Sequence, residues 1–157
     1  MNSNELSFFM DRAIELAKAA ETWGDVPVGA VIVKEGQIIA EGSNKREKDH
    51  DPVGHAEIHA IKNAAATLGT WRLSGCTLIV TLEPCVMCLG AALSARVDSL
   101  VYGAVDKKGG ALSLGYSFNA DEKMNHRFEA RYFEVAECGE ILSEFFKKRR
   151  RDKKVNE

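Results

Sequence analysis

Two short motifs carry residues that could do chemistry together: His55-Ala56-Glu57, and Pro84-Cys85-Val86-Met87-Cys88. One imidazole and two thiolates are soft ligands suited to Zn²⁺. Three protein ligands leave a fourth position for water, the layout of a catalytic zinc site and not of a closed structural one. Zinc held this way lowers the pKa of its water to about 7 and so supplies hydroxide at neutral pH. Glu57 lies two residues from the histidine, close enough to handle the water's proton without being a ligand. Cys85 and Cys88 can chelate one ion from the first turn of a helix, whose N-terminus also favours the thiolate form. Pro84 stands just before that turn, where its missing N–H costs little.

Neither motif is specific alone. A lone H-x-E says little, and C-x-x-C is shared by zinc and redox sites. Their order, with one strand-like segment between them, is far more telling. A closed structural site would need a fourth ligand, and no remaining Cys or His stands at finger spacing. A dithiol redox role would leave His55 and Glu57 without a purpose. In this order the four side chains resemble the signature of zinc-dependent nucleobase deaminases, which implies hydrolytic deamination. Hydroxide replaces an exocyclic amine, while a carboxylate carries the proton to the ring nitrogen and on to the departing ammonia.

Elements that could position these groups follow from periodicity. Leu6 to Ala20 has helical spacing (Phe9, Ala13, Leu16, Ala20) and stops near Trp23-Gly24. Val28 to Val33 and Ile38 to Gly42 flank a turn over Lys34 to Gln37, which predicts a hairpin. Asn44 to Gly54 reads as a loop. His55 to Leu68 is alanine-rich and helical, with Gly69 as its stop. Thr77 to Leu82 is a buried strand, Cys85 to Ser94 a helix and Ser99 to Gly103 a strand. Asp106 to His126 is long and irregular, a type of segment that is usually functional. Phe128 to Ala136 alternates like a strand, and Cys138 to Arg150 is an amphipathic helix. This order predicts an α/β fold, a three-layer α/β/α sandwich around a central five-stranded mixed sheet. Both metal motifs then sit at helix N-termini that converge at one end of the sheet, where open α/β sheets bind ligands.

The 157 residues are enough for a core without disulfides and fit a single domain over 1–157, with a basic C-terminal helix and tail from about residue 138. No apolar run reaches membrane length, and the N-terminus lacks the plan of a signal peptide. Two of the four cysteines are claimed by metal. That usage fits a reducing cytoplasm, with Cys76 and Cys138 as small buried apolar residues. Net charge is −2, yet Lys147 to Lys154 holds seven of the chain's 21 Lys and Arg residues. Such a run is either a solvated end or a phosphate-contacting arm, and a neighbouring nucleobase site favours the arm.

From the first helix through Arg150, the chain resembles the bacterial tRNA-specific adenosine deaminases of the cytidine-deaminase-like superfamily. The resemblance is carried by Asp25-Val26-Pro27-Val28-Gly29-Ala30-Val31, Asn44 after Gly42, His55-Ala56-Glu57 and Thr81-Leu82-Glu83-Pro84-Cys85-Val86-Met87-Cys88. Asn125-His126, and Phe145-Phe146 ahead of the basic run, extend it. It implies a zinc-dependent homodimer that converts the wobble adenosine of a tRNA anticodon stem-loop to inosine. By position, His55, Cys85 and Cys88 would bind one Zn²⁺ per chain and Glu57 would shuttle protons. Asn44 would hold the base or its ribose, Val28 would pack on the base, and the Ala56 N–H would help bind the purine. Asp106 and the loop after it would face the anticodon-loop backbone or a flanking nucleotide, and Arg149 and Arg150 would approach phosphates. The helix over Gly90 to Arg96 and the loop over Asp106 to Phe118 would lie near the dimer contact.

The chain departs from the family at Leu112-Ser113-Leu114-Gly115-Tyr116, where a small Gly-Ser pair is usual. Tyr116 and Phe118 either stack on extruded bases or pack within their own loop or the dimer contact. The second reading is favoured, since large aromatics are usually buried. Asn44 and Asp106 also have plain readings as turn residues. His59, one helical turn after His55, is expected to be an ordinary helix residue because the ligand set is complete. His126 reads as structural. Glu83 is open between a backbone partner and a ligand partner. A deaminase of a free nucleobase or nucleoside, such as guanine or cytosine, would share the zinc site. It would have no use for Asn125-His126 beside a basic C-terminal helix.

Overall fold

A computed structural model describes every residue from Met1 to Glu157. Helix α1 (Ser3–Thr22) opens in a capping box, the Asn2 side chain accepting from the Glu5 N–H while the Glu5 carboxylate accepts from the Asn2 N–H. The hairpin β1 (Gly29–Lys34) and β2 (Gln37–Ser43) follows, then α2 (Ala56–Leu68), β3 (Cys76–Val80), α3 (Val86–Ala95) and β4 (Ser99–Tyr102). A long connection with one short 3₁₀ turn at Phe118–Ala120 leads to β5 (Glu129–Tyr132) and α4 (Ala136–Val155).

The strands form one mixed sheet in the order β2-β1-β3-β4-β5. β1 is antiparallel to β2 and β3, while β3, β4 and β5 run parallel. Alternate residues of each strand feed opposite layers. Ala30, Ile32, Leu78, Val80 and Leu100 pack with Ala56, Ala60, Ala64, Leu89 and Ala92 of α2 and α3. Val31, Val33, Ile79 and Val101 pack with Phe9, Met10, Ala13 and Ile14 of α1 and with Cys138 of α4. The expected three-layer sandwich is therefore present, with α2 and α3 on one face and α1 and α4 on the other.

The alanines on α2 bring it unusually close to the sheet, and Gly42 on β2 completes the fit. A Cβ at Gly42 would stand 2.2 Å from the Ala56 carbonyl oxygen and 2.7 Å from the Ala60 nitrogen. The first turn of α2, which carries His55 to Glu57, is thereby seated directly on the strand. No helix is long and apolar enough to cross a membrane.

Two boundaries differ most from the sequence reading. β5 ends at Tyr132, short of Ala136, because β4 ends at Tyr102. Beyond that point the Phe133 and Val135 N–H groups still donate to Tyr102 and Gly103, but no ladder remains to extend. α4 runs on to Val155, so the basic residues after Arg150 are helical and not a loose tail. Nothing after Arg150 breaks a helix: Lys and Arg are good helix formers, and Lys153 and Lys154 in the last turn complement the helix dipole.

Candidate active site

His55 is the N-cap of α2 and Cys85 the N-cap of α3, and neither side chain caps its own helix. Both are thus free to face a common point beyond the β3 end of the sheet. His55 Nδ1 lies 3.6 Å from Cys85 Sγ and 3.5 Å from Cys88 Sγ. All three donor atoms fall within 4.8 Å of one another. This spacing tests the fit to zinc. Ligands at the usual Zn–S and Zn–N lengths and tetrahedral angles sit about 3.6 Å apart. No other His, Cys, Asp or Glu joins the group.

The two thiols are coupled to each other by a hydrogen bond. A hydrogen bond from Cys88 pulls the Cys85 thiol down to about 4 against its partial burial, and His55 adds to this. The shared proton is held on Cys88, whose thiol is pushed up by that hydrogen bond and by burial. His55 is raised by its hydrogen bond to Cys85. Glu57, in the first turn of α2, is only 4% exposed, and burial raises its carboxyl above the ordinary range.

His55, Glu57 and Cys85 line a cavity of about 230 Å³. That volume lies below the roughly 300–1,000 Å³ of pockets that enclose drug-sized ligands. Val28, Asn44, Ala56, Asp106 and Arg149 line it, as does Leu82. Ala56 belongs to the first turn of α2, whose N–H groups have no partner within the helix. Val26, Leu82 and Asp106 are shared with an adjoining groove of about 760 Å³, whose walls include Lys107, Lys108, Phe146, Lys147 and Arg150.

The match to known proteins is close. The family described as MafB19-like deaminase matches residues 3–150. The tRNA-specific adenosine deaminase of Bacillus subtilis (strain 168) is 46% identical over 156 residues, covering 99% of this chain and 96% of the relative. The chain belongs to the tRNA-specific adenosine deaminase family. A solved structure from work on A-to-I editing by tRNA:A34 deaminases superposes with a TM-score of 0.81 at 40% identity, covering 87% of this chain and 99% of that one. A guanine deaminase structure from Bacillus subtilis gives 0.63 at 36% identity, covering 96% and 95%. This deaminase is an enzyme of the zinc-dependent type, with its His/Cys/Cys group fitted to that ion.

Several residues do more in the deaminase than line the cavity. The Asn44 amide donates to the Val26 carbonyl and accepts from the Arg46 N–H, so it holds a turn and faces the cavity at once. Asp106 likewise accepts from the Lys108 and Gly109 N–H groups while standing at the rim. Arg149 reaches the cavity with its guanidinium over the Phe145 ring at 4.8 Å, whereas Arg150 lies in the adjoining groove. His59 is outside the ligand group. His126 Nε2 donates to the Val97 carbonyl at 2.7 Å, a structural bond. Tyr116 and Phe118 stack on each other 6.0 Å apart, with Tyr116 half exposed.

Sequence reasoning gave no role to the buried carboxylate of Asp25 and left that of Glu83 open. Asp25 is 1% exposed and accepts from the Glu47 and Lys48 N–H groups at 2.7 and 3.1 Å, fixing the loop that follows Asn44. Glu83 is 3% exposed and meets the backbone of the opposite rim. Each acid stands beside an apolar run, inside a motif that carries the family resemblance, and that placement was the signal available.

Proposed function

We propose that the chain deaminates the wobble adenosine of a tRNA anticodon loop to inosine by hydrolysis. Water adds its oxygen at C6 of the purine, the C6–N bond breaks, and ammonia leaves. Zn²⁺ held by His55, Cys85 and Cys88 would supply acidified water and polarise the site. Glu57, buried beside these ligands, takes the proton from the attacking water, passes it to the ring nitrogen and then to the leaving amine. Val28 packs on the base, and the Ala56 N–H at the start of α2 binds its edge. Asn44 holds the base or ribose with the donor and acceptor capacity that its turn leaves free. Glu57 is only 4% exposed, which limits the exchange of its proton with bulk water.

The observation that carries this reading is the continuity of the small cavity with the basic groove. A base-sized cavity alone would serve a free nucleobase. Here its rim residues Val26, Leu82 and Asp106 also wall a channel bearing Lys107, Lys108, Lys147 and Arg150. Cationic side chains beside a flipped-base pocket suit a phosphate backbone. The test is deamination of a transcribed anticodon stem-loop against free adenine, adenosine, guanine and cytosine. Inosine formation in the stem-loop is expected. Turnover of free guanine or cytosine with no turnover of the stem-loop would replace this reading by the free-base one.

The same reading includes a cytoplasmic homodimer. In support, Val86 on α3 and Leu114 and Tyr116 on the loop after β4 leave apolar surface exposed. Sedimentation at working concentration should give a dimer; an active monomer would remove this part of the proposal.

A further inference from the structure

We propose that Glu83 is a positioning residue for RNA recognition, its carboxylate locking the loop of residues 106–113 so that Asp106 meets the nucleotides flanking the flipped base. This rests on the reading of the cleft as an anticodon-loop site. Glu83 Oε1 accepts from the Ser113 hydroxyl at 2.6 Å and from the Asp106 N–H at 3.2 Å, while Oε2 accepts from the Ser113 N–H at 2.9 Å. These donors come from both ends of the loop. The loop is moulded around the acid: a Cβ at Gly110 would lie 1.9 Å from Glu83 Oε2 and 2.6 Å from the Asp106 carbonyl oxygen. Backbone bonds fasten the same place, Glu83 N–H to the Ala104 carbonyl and Ala111 N–H to the Pro84 carbonyl, each 2.8 Å.

The carboxylate is buried without a cation, an arrangement that hydrogen bonds must compensate in full. Its three donors do so, and all three belong to the loop. The orientation is then passed outward. Asp106, anchored through its N–H, turns the chain by accepting from the Lys108 and Gly109 N–H groups. Lys107 and Lys108 are thereby set along the groove. Two residues after Glu83 comes Cys85, a member of the His/Cys/Cys group. One short segment at the end of β3 therefore sets both the reacting centre and the rim that receives the flanking nucleotides.

The test compares Glu83→Gln, Ser113→Ala, Asp106→Ala and the Glu83→Gln/Asp106→Ala double variant on an anticodon stem-loop, with zinc content measured for each. Glutamine keeps the size of glutamate but turns one acceptor into a donor facing N–H groups. KM should rise about tenfold, the loss of one hydrogen bond to a charged acceptor. Zinc should stay at one per chain, and kcat should fall much less than KM rises. Ser113→Ala, at an exposed residue, should shift KM in the same direction by about threefold, as for a lesser hydrogen bond. In the double variant, Glu83→Gln should add nothing to the Asp106→Ala effect, because one acts through the other. Amide exchange at Asp106 and Ser113 should quicken in Glu83→Gln whatever the substrate. An unchanged KM in Glu83→Gln, multiplying effects in the double variant, or unaltered exchange each overturns the clamp. A wild-type enzyme that ignores the stem-loop overturns the tRNA reading instead, and the exchange measurement still decides the clamp.

Discussion

At the metal end of the cleft, Ala56 and Cys88 are fully buried, Glu57 is nearly so, and Gly42 seats the first turn of α2 against the sheet. At the other end, α4 extends over twenty residues with only Cys138 and Phe145 buried. Phe146 is 39% exposed, and the basic residues from Lys147 onward are exposed. The first end is built for fixed geometry, since a displacement of about 1 Å can cost two orders of magnitude in rate. The second is built for charge, which acts through water and tolerates imprecise docking. The contrast separates what should change kcat from what should change affinity.

The sharpest way to break that contrast is Glu57→Ala. Turnover of the stem-loop should fall by about 10²–10⁴-fold, the range for removing a general acid–base group. Zinc content and stem-loop affinity should hold, since Glu57 is neither a ligand nor a phosphate-binding group. Turnover near wild type would take the proton role away from it. Gly42→Ala probes the same end through packing. The added methyl meets the Ala56 carbonyl at 2.2 Å. Overpacking of this kind typically costs about 1–3 kcal/mol of stability. Chemical denaturation should show that loss, and kcat should drop with KM nearly unchanged. An unaltered kcat would mean that the first turn of α2 does not need its seat on β2.

The basic end should answer differently. Arg149→Ala/Arg150→Ala should weaken stem-loop binding and reduce the slope of log K against log salt by about one for each phosphate that is no longer neutralised. Turnover at saturating RNA should fall much less. Of the pair, Arg150 should govern the salt slope, because Arg149 already spends a guanidinium nitrogen on the Gly24 carbonyl and its face on Phe145. A salt series indistinguishable from wild type would reduce this stretch of α4 to a solubilising end.

The two ends also differed in how far the sequence exposed them. His55, Cys85 and Cys88 were legible because each motif is local and each opens a helix, so residue type and spacing already determine direction. The sandwich was legible because strand alternation and the alanine stripe of α2 register burial residue by residue. Asp25 and Glu83 were not, because their partners lie 22 to 30 residues away in loops, and a loop N–H leaves no mark in composition. The length of α4 was missed for another reason. A run of cations reads as a solvated tail unless its helix propensity is weighed beside its charge.

The smallest expected effect concerns whether charge helps hold the rigid end together at all. Arg12 on α1 makes a two-pronged contact with Glu41 on β2, at 2.7 and 2.8 Å, one residue before Gly42. The pair is partly exposed, with side chains 40% and 36% accessible. Its contribution should therefore stay within about 0.2–1 kcal/mol. The Arg12 guanidinium holds the Glu41 carboxyl below the ordinary carboxylate range, with partial burial opposing. A lowered folded-state pKa means stability that is present above the unfolded value of about 4.3 and is lost as pH falls through the folded value. Glu41→Gln should accordingly be slightly less stable than wild type at pH 7, and the gap should close as both are titrated into acid. Turnover at pH 7 should be unchanged, because the seat of α2 is steric and comes from Gly42. A gap that persists below the folded pKa would assign the effect to packing of the side chain. A loss of kcat in Glu41→Gln would show that charge and not fit alone positions Glu57, and the division between the two ends of the cleft would have to be redrawn.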